Sequence, residues 1–244
     1  MKNFRKLFFV MLIIFTVSAV YAETNFSINL SGNLGYVPNS SMDDAVSWYG
    51  DDTAEELNTL NSTDVFKGKN EKAGLGAGID LEGRLFLNNL GLGLSLGYQY
   101  GGESRSVAKA GGYDTEQSLS LTATALSYLG TVYYKYTLAE TSYVLLGAGG
   151  GYYQGKMQIK EEAKGFASGN GSDEIDFDGS TWGAHLKAEY NYAMDSIGFF
   201  GGVMARYASI DEFKKDGAVL TSDGDNIEGN FSGVLLYFGA GLNF

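Results

Sequence analysis

The chain contains no cysteine and only one proline, Pro38, in 244 residues. Without cysteine no disulfide can staple it, so its stability must come from backbone pairing and packing. Basic residues are also scarce: 17 Lys and Arg stand against 29 Asp and Glu, a formal net charge of −12. A field of that sign repels nucleic acid and anionic membrane surfaces, so neither is expected as a partner. Beyond the first residues no stretch approaches the 18 or so consecutive apolar residues of a transmembrane helix. A closed β-barrel is the other way to satisfy every backbone group in lipid.

What is abundant suits strands. There are 35 Gly, 17 Tyr and 15 Phe, and aromatic residues favour pleated, half-buried surfaces. The start has its own grammar. Lys2, Arg5 and Lys6 form a basic segment, Leu7 to Val17 an apolar one, and Val20-Tyr21-Ala22 a small-residue cleavage pattern. Together these predict a signal peptide over 1–22, cleaved after Ala22, and one β-barrel domain over 23–244. Removing its three positive charges takes the formal net charge from −12 to −15.

Period-two alternation runs through most of the remainder. Phe26, Ile28, Leu30, Gly32, Leu34 and Tyr36 share one face of a first strand, and Leu75 to Leu87 repeats the pattern in a second. Six more follow, ending in Val234, Leu236, Phe238, Ala240, Leu242 and Phe244, so eight strands are predicted. The fourth, about 119–138, changes phase near Ala125-Leu126, which predicts a β-bulge there. Short connections at 88–89, 139–141 and 193–196 alternate with long loops at 38–72, 101–118, 155–180 and 210–229. Those four loops hold 23 of the 29 acidic residues but only 10 of the 17 basic ones.

Alternation alone does not say which face is inside. A soluble, lipocalin-like barrel would turn the apolar set inward. Aromatics at both strand ends favour the inverted arrangement, because girdles of this kind mark two lipid–water interfaces. One rim would carry Tyr36, Tyr98, Tyr100, Tyr152, Trp182 and Tyr207. The other would carry Phe26, Tyr134, Tyr136, Tyr190, Tyr192 and Phe199. The expected fold is therefore all-β, an eight-stranded antiparallel transmembrane up-and-down barrel.

The last strand, Leu236-Tyr237-Phe238-Gly239-Ala240-Gly241-Leu242-Asn243-Phe244, resembles the C-terminal assembly signal of bacterial outer-membrane proteins. The chain as a whole resembles the small eight-stranded OmpA/OmpX/opacity-type superfamily in architecture, without a family-specific functional motif. The resemblance implies residence in the outer membrane among its lipids. It also implies delivery by the barrel-assembly machinery, which would read Phe238, Leu242 and Phe244.

Eight strands enclose only enough room for side chains. Asp80, Glu82, Arg84, Lys187, Glu189 and Arg206 follow the inward phase and are expected to meet as a salt-bridge network, a plug rather than a gated pore. The single histidine, His185, shares that phase and is read as a lumen hydrogen-bonder. Gly93-Leu94-Ser95-Leu96-Gly97 matches a nucleophile elbow, and Gly147 to Gly151 imitates a phosphate loop, but both lie within alternating strands. The acids at 173–178 and Asp223-Gly224-Asp225-Asn226 lack the spacing of an EF-hand and read as solvated loop charge. No catalytic, cofactor or metal site is predicted, and no enzymatic activity. The expected role is a surface, adhesion or structural scaffold meeting an unidentified extracellular ligand. A channel for small solutes or hydrophobic molecules is the alternative, with a lipid-modifying enzyme third. Trp48, Tyr49 and Phe66 in the first loop are the candidate contacts, unless they fold back on the rim.

Overall fold

The computed structural model describes residues 24–60, 69–72, 74–109, 116–165, 170–222 and 224–244. The predicted signal peptide and Phe66 lie outside them. Eight antiparallel strands dominate: β1 (Thr24–Tyr36), β2 (Leu75–Leu87), β3 (Leu90–Lys109), β4 (Glu116–Ala139), β5 (Ser142–Lys164), β6 (Gly171–Met194), β7 (Ile197–Tyr207) and β8 (Gly233–Asn243). Each pairs with its sequence neighbours, and β8 pairs with β1 from Ser27↔Asn243 to Tyr36↔Val234, so the ring closes. The last residue takes part in that closure: Phe244 N–H donates to the Phe26 carbonyl at 2.8 Å.

The short turns fall where the sequence predicts them. Asn88 (φ 56°) and Asp195 (φ 51°) take the left-handed conformation that, glycine aside, these two residue types tolerate best. Along the lower wall the inward positions mix polar residues and glycine with a few large rings and aliphatics such as Phe86, Tyr133 and Phe200, while Leu30, Leu81, Leu92, Leu96, Val132, Leu186 and Leu236 are exposed on the outside. Water would oppose a surface of this kind; hydrocarbon accepts it. This is the inside-out order of a membrane-spanning barrel. Trp182 and Tyr192 bound the belt on β6, ten residues apart. At about 3.3 Å per residue and about 40° of tilt the belt is about 25 Å tall.

Above the upper girdle the sequence reading needs correction. β3 to β6 run for 20, 24, 23 and 24 residues, against 11 to 13 for the other four. Most of the expected loops at 101–118 and 155–180 is therefore strand, rising beyond the belt as a curved wall. The first long connection is not an open loop either: Ser40–Leu60 forms a helix, α1. Met42, Ala45, Val46 and Tyr49 recur at i, i+3, i+4 and i+7, one apolar stripe among acids. That stripe packs against Leu121, Ala123, Tyr153 and Met157 of the wall.

The expected bulge at Ala125-Leu126 is also displaced. β4 keeps every odd residue from Leu119 to Tyr133 facing inward, without a slip. The irregularity lies across from it on β3, between Tyr100 and Gly102, where Gly102 has φ 104°. The phase change in β4 is chemical. Below Leu126 the outward residues are apolar and meet lipid; above it Thr124 and Thr122 face outward, and Ala125, Ala123 and Leu121 turn inward.

Candidate functional site

Two places concentrate charge and buried polar groups: the lumen of the belt and the cap above it. In the lumen Arg84 forks twice. Its Nη1 and Nη2 donate to the two carboxylate oxygens of Glu189 at 2.6 and 2.8 Å, and Nε and Nη2 to Glu82 Oε2 at 2.9 and 2.8 Å. The guanidinium lies between the rings of Tyr133 and Phe200, 5.0 and 5.1 Å from their centroids. Tyr133 donates its hydroxyl to Glu82 Oε1 at 2.6 Å, and Lys187 Nζ stands 3.8 Å from Glu82 Oε2. Two carboxylates, one arginine and one lysine thus neutralise each other with their hydrogen bonds largely met, which is the condition for burying such a set.

Asp80 and Arg206 form a second cluster rather than joining the first. Gln99 links them: its Nε2 donates to Asp80 Oδ1 at 3.1 Å, and its Oε1 accepts from Arg206 Nη1 at 2.7 Å. Asn33 also donates to Asp80, at 2.8 Å. Arg206 Nε donates to the Phe231 carbonyl at 2.6 Å, so this arginine fastens the lumen to the start of the cap. The single network expected from sequence is therefore two clusters, with Gln99 as the unforeseen bridge. Its inward phase on β3 was the available signal.

His185 is buried and its Nε2 lies 2.9 Å from Thr131 Oγ1. Ser95 sits inside the continuous strand β3, and Gly147 to Gly151 inside β5, so neither can act as an elbow or a phosphate loop. The glycines have a steric task instead. A Cβ at Gly147 would lie 2.7 Å from the Tyr133 ring, so the large inward residues fill hollows left by small ones. Phe86, Tyr133 and Leu145 close the lower lumen as an apolar floor.

The upper mouth is closed by α1 and the connection from Ile210 to Gly229. Ile210, Phe213, Leu220, Ile227 and Phe231 are buried against the wall and α1 in one cluster. Polar contacts lace the lid. Asn39, just before α1, donates to the Gly101 carbonyl and accepts from Asn230 N–H at 2.6 Å. Ser41 Oγ accepts from Glu228 N–H at 3.0 Å, and Ser104 donates to Asp43 at 2.6 Å. Tyr49 folds back on the wall, donating to Glu161 and accepting from Gln117 at 3.0 Å. Trp48 points the other way and is 53% exposed.

On the outer face of the wall, Lys156 Nζ binds Asp176 at 2.6 Å, and that hydrogen bond holds the Asp176 carboxyl below its ordinary range. Lys160 and Lys164 do the same for Glu162. Among the described residues no group of three or more His, Cys, Asp or Glu is arranged to hold a metal ion. Phe238, Leu242 and Phe244, the residues expected to form an assembly signal, all lie exposed on the outside of the barrel.

No family model and no curated sequence matches the chain. Among solved structures it is similar to Neisserial surface protein A, at 12% identity over 89% of this chain and 95% of that one, with a TM-score of 0.38. It is also similar to Ail, the attachment invasion locus protein of Yersinia pestis, at 14% identity over 91% and 97% of the two chains, with a TM-score of 0.36. A second structure of Ail, in complex with the heparin analogue sucrose octasulfate, gives 12% identity, the same coverage and a TM-score of 0.32. The barrel itself rests on the strand pairing described above.

Proposed function

We propose that this chain is an exported bacterial outer-membrane protein that acts as a surface scaffold of the adhesion type, without enzymatic activity. In this reading residues 1–22 are removed, the barrel-assembly machinery recognises the last strand through Phe238, Leu242 and Phe244, and both barrel termini lie on the periplasmic side. The cap then stands outside the cell and meets an extracellular ligand. The observation that carries the proposal is the filled lumen. Side chains cross it at three levels: the Phe86, Tyr133 and Leu145 floor, the Arg84 cluster, and the apolar core beneath α1. A channel for solutes needs a continuous path through those levels. A scaffold needs a rigid base and a presented surface, and this arrangement supplies both.

Conductance in planar bilayers tests the choice. The scaffold reading predicts no unitary conductance from the intact barrel, and cleavage confined to the cap when intact cells meet external protease. Regular single-channel steps would replace it with the channel reading.

A further inference from the structure

The cap is built like a soluble protein, with its apolar groups inside, and Trp48 breaks that rule. Among the residues whose side chains are described, the other large apolar ones that stand exposed lie on the barrel strands or at their ends, and Trp48 is the one in the cap. Its neighbours on α1 are acids. Asp44 precedes it by four residues, Asp51 and Asp52 follow by three and four, and Glu55 by seven, and all four are exposed. At 100° per residue these five side chains occupy one face, centred about 125° around the helix from the stripe of Met42, Ala45, Val46 and Tyr49.

The helix brings no cation of its own to that face. The sequence of α1 contains no Lys or Arg, and its last turn has no basic residue to oppose the helix dipole. Asp51 and Glu55 stand at i, i+4, a spacing at which like charges weaken a helix. Acids toward the C-terminal half oppose the dipole as well. By contrast, the acids Glu162 and Asp176 on the wall each have a lysine partner. Local stability does not account for the composition of this helix face. A cation would relieve the repulsion, and the face of a Trp ring is the best aromatic partner for one.

We infer that the outward face of α1 is a docking surface for a cationic polypeptide segment, with Trp48 as its aromatic anchor and Asp44, Asp51, Asp52 and Glu55 as its charge complement. This rests on the scaffold reading for its access to the outside. The segment lays arginine or lysine side chains along the helix, one over the indole and others against the carboxylates. Association is steered by the charge of the cap and falls with salt.

The test uses the barrel in neutral phosphatidylcholine vesicles and a dye-labelled peptide alternating arginine and glycine, followed by anisotropy. The expected result is saturable binding that weakens at least tenfold in Trp48→Ala, and at least tenfold in the combined Asp51→Asn, Asp52→Asn, Glu55→Gln variant. A glutamate–glycine peptide should not bind, and calcium at millimolar concentration should not displace the arginine peptide. A second readout separates docking from a structural role. Hydrogen exchange of the α1 amides in the neutralised variant should hold or slow, because repulsion has been removed. Binding of both variants within twofold of the parent would overturn the inference, as would equal binding of the glutamate peptide, displacement by calcium, or faster α1 exchange. The scaffold reading would survive those outcomes, since it stands or falls on conductance and surface proteolysis.

Discussion

Four strands, β3 to β6, run through both the lower and the upper part of the barrel wall, and the two parts obey opposite rules. In the belt β4 turns Val132 outward and Thr131 inward; about ten residues up the same strand it turns Thr122 outward and Leu121 inward. Backbone pairing is indifferent to the change, for the β4–β5 register runs unbroken from Glu116↔Lys164 to Thr137↔Tyr143. The difference lies in the medium. Hydrocarbon outside favours an apolar outer face and leaves polar groups to pair within the lumen, whereas water outside restores the usual apolar interior. A sheet specifies pairing, and the side-chain pattern specifies which solvent each level meets.

The largest effect should come from the buried charges of the lower half. Arg84→Ala leaves Glu82 and Glu189 facing each other without their shared cation, and should cost about 3–5 kcal/mol. Urea unfolding of the barrel in lipid vesicles measures it. Arg206→Ala removes bonds to the neutral Gln99 side chain and a carbonyl, so its cost should be smaller, about 1–3 kcal/mol. Equal costs would mean that the two clusters act as one.

In the upper half the corresponding loss is a cavity. Phe213 is fully buried beneath the cap, and Phe213→Ala should lower cap stability by about 3–5 kcal/mol. Protease sensitivity should appear at Ile210 to Gly229, while the heat-modifiable mobility of the barrel is retained. Loss of that mobility would show that cap and belt unfold together.

A matched pair on one face of β4 sharpens the contrast. Val132→Lys places a charge on the lipid side and should cost about 2–4 kcal/mol near the midplane. Thr122→Lys makes the same change above the upper girdle and should stay within about 0.5 kcal/mol. The smallest effect concerns acid. Asp176 and Glu162 are held below their ordinary range by lysines, so their contribution to the upper wall is fully present above the unfolded carboxylate range. It is lost as pH falls through their lowered values. Once corrected for the intrinsic pH dependence of amide exchange, protection at the top of β5 and β6 should therefore be steady from neutral pH to about 5, and fall only below the ordinary carboxylate range.

The belt was legible in the sequence because every strand there alternates without interruption between short turns, two of them marked by Asn88-Asn89 and Asp195. Eight strands, their order and their outward apolar face follow from that. The cap was harder to read, for a definite reason. Residues 101–109, 116–118, 155–164 and 171–180 alternate too, but in the opposite phase, and with polar groups outward they resemble loops to any reading tuned to lipid. α1 announced itself only through Met42, Ala45, Val46 and Tyr49, four residues within a polar, acidic segment. In the lumen, the six charged residues of the expected network all follow the inward phase, as does Lys135, which that network left out, but phase could not tell that Gln99 would divide the six into two clusters. Of the three loop aromatics, Tyr49 is a packing residue, Trp48 is presented, and Phe66 lies outside the described residues.

Spin-label accessibility along β4 tests the inversion most directly, and a chain without cysteine is suited to it. Single cysteines at Thr122, Thr124, Leu126 and Val132, all on the outward face, would be labelled in the vesicle-bound barrel. The labels would then be exposed to oxygen, which concentrates in hydrocarbon, and to a water-soluble nickel chelate. The account predicts nickel access at 122 and 124, a crossover close to 126, and oxygen access without nickel at 132. The same accessibility at 122 and 132 would contradict it, because one face of one strand would then meet a single solvent throughout.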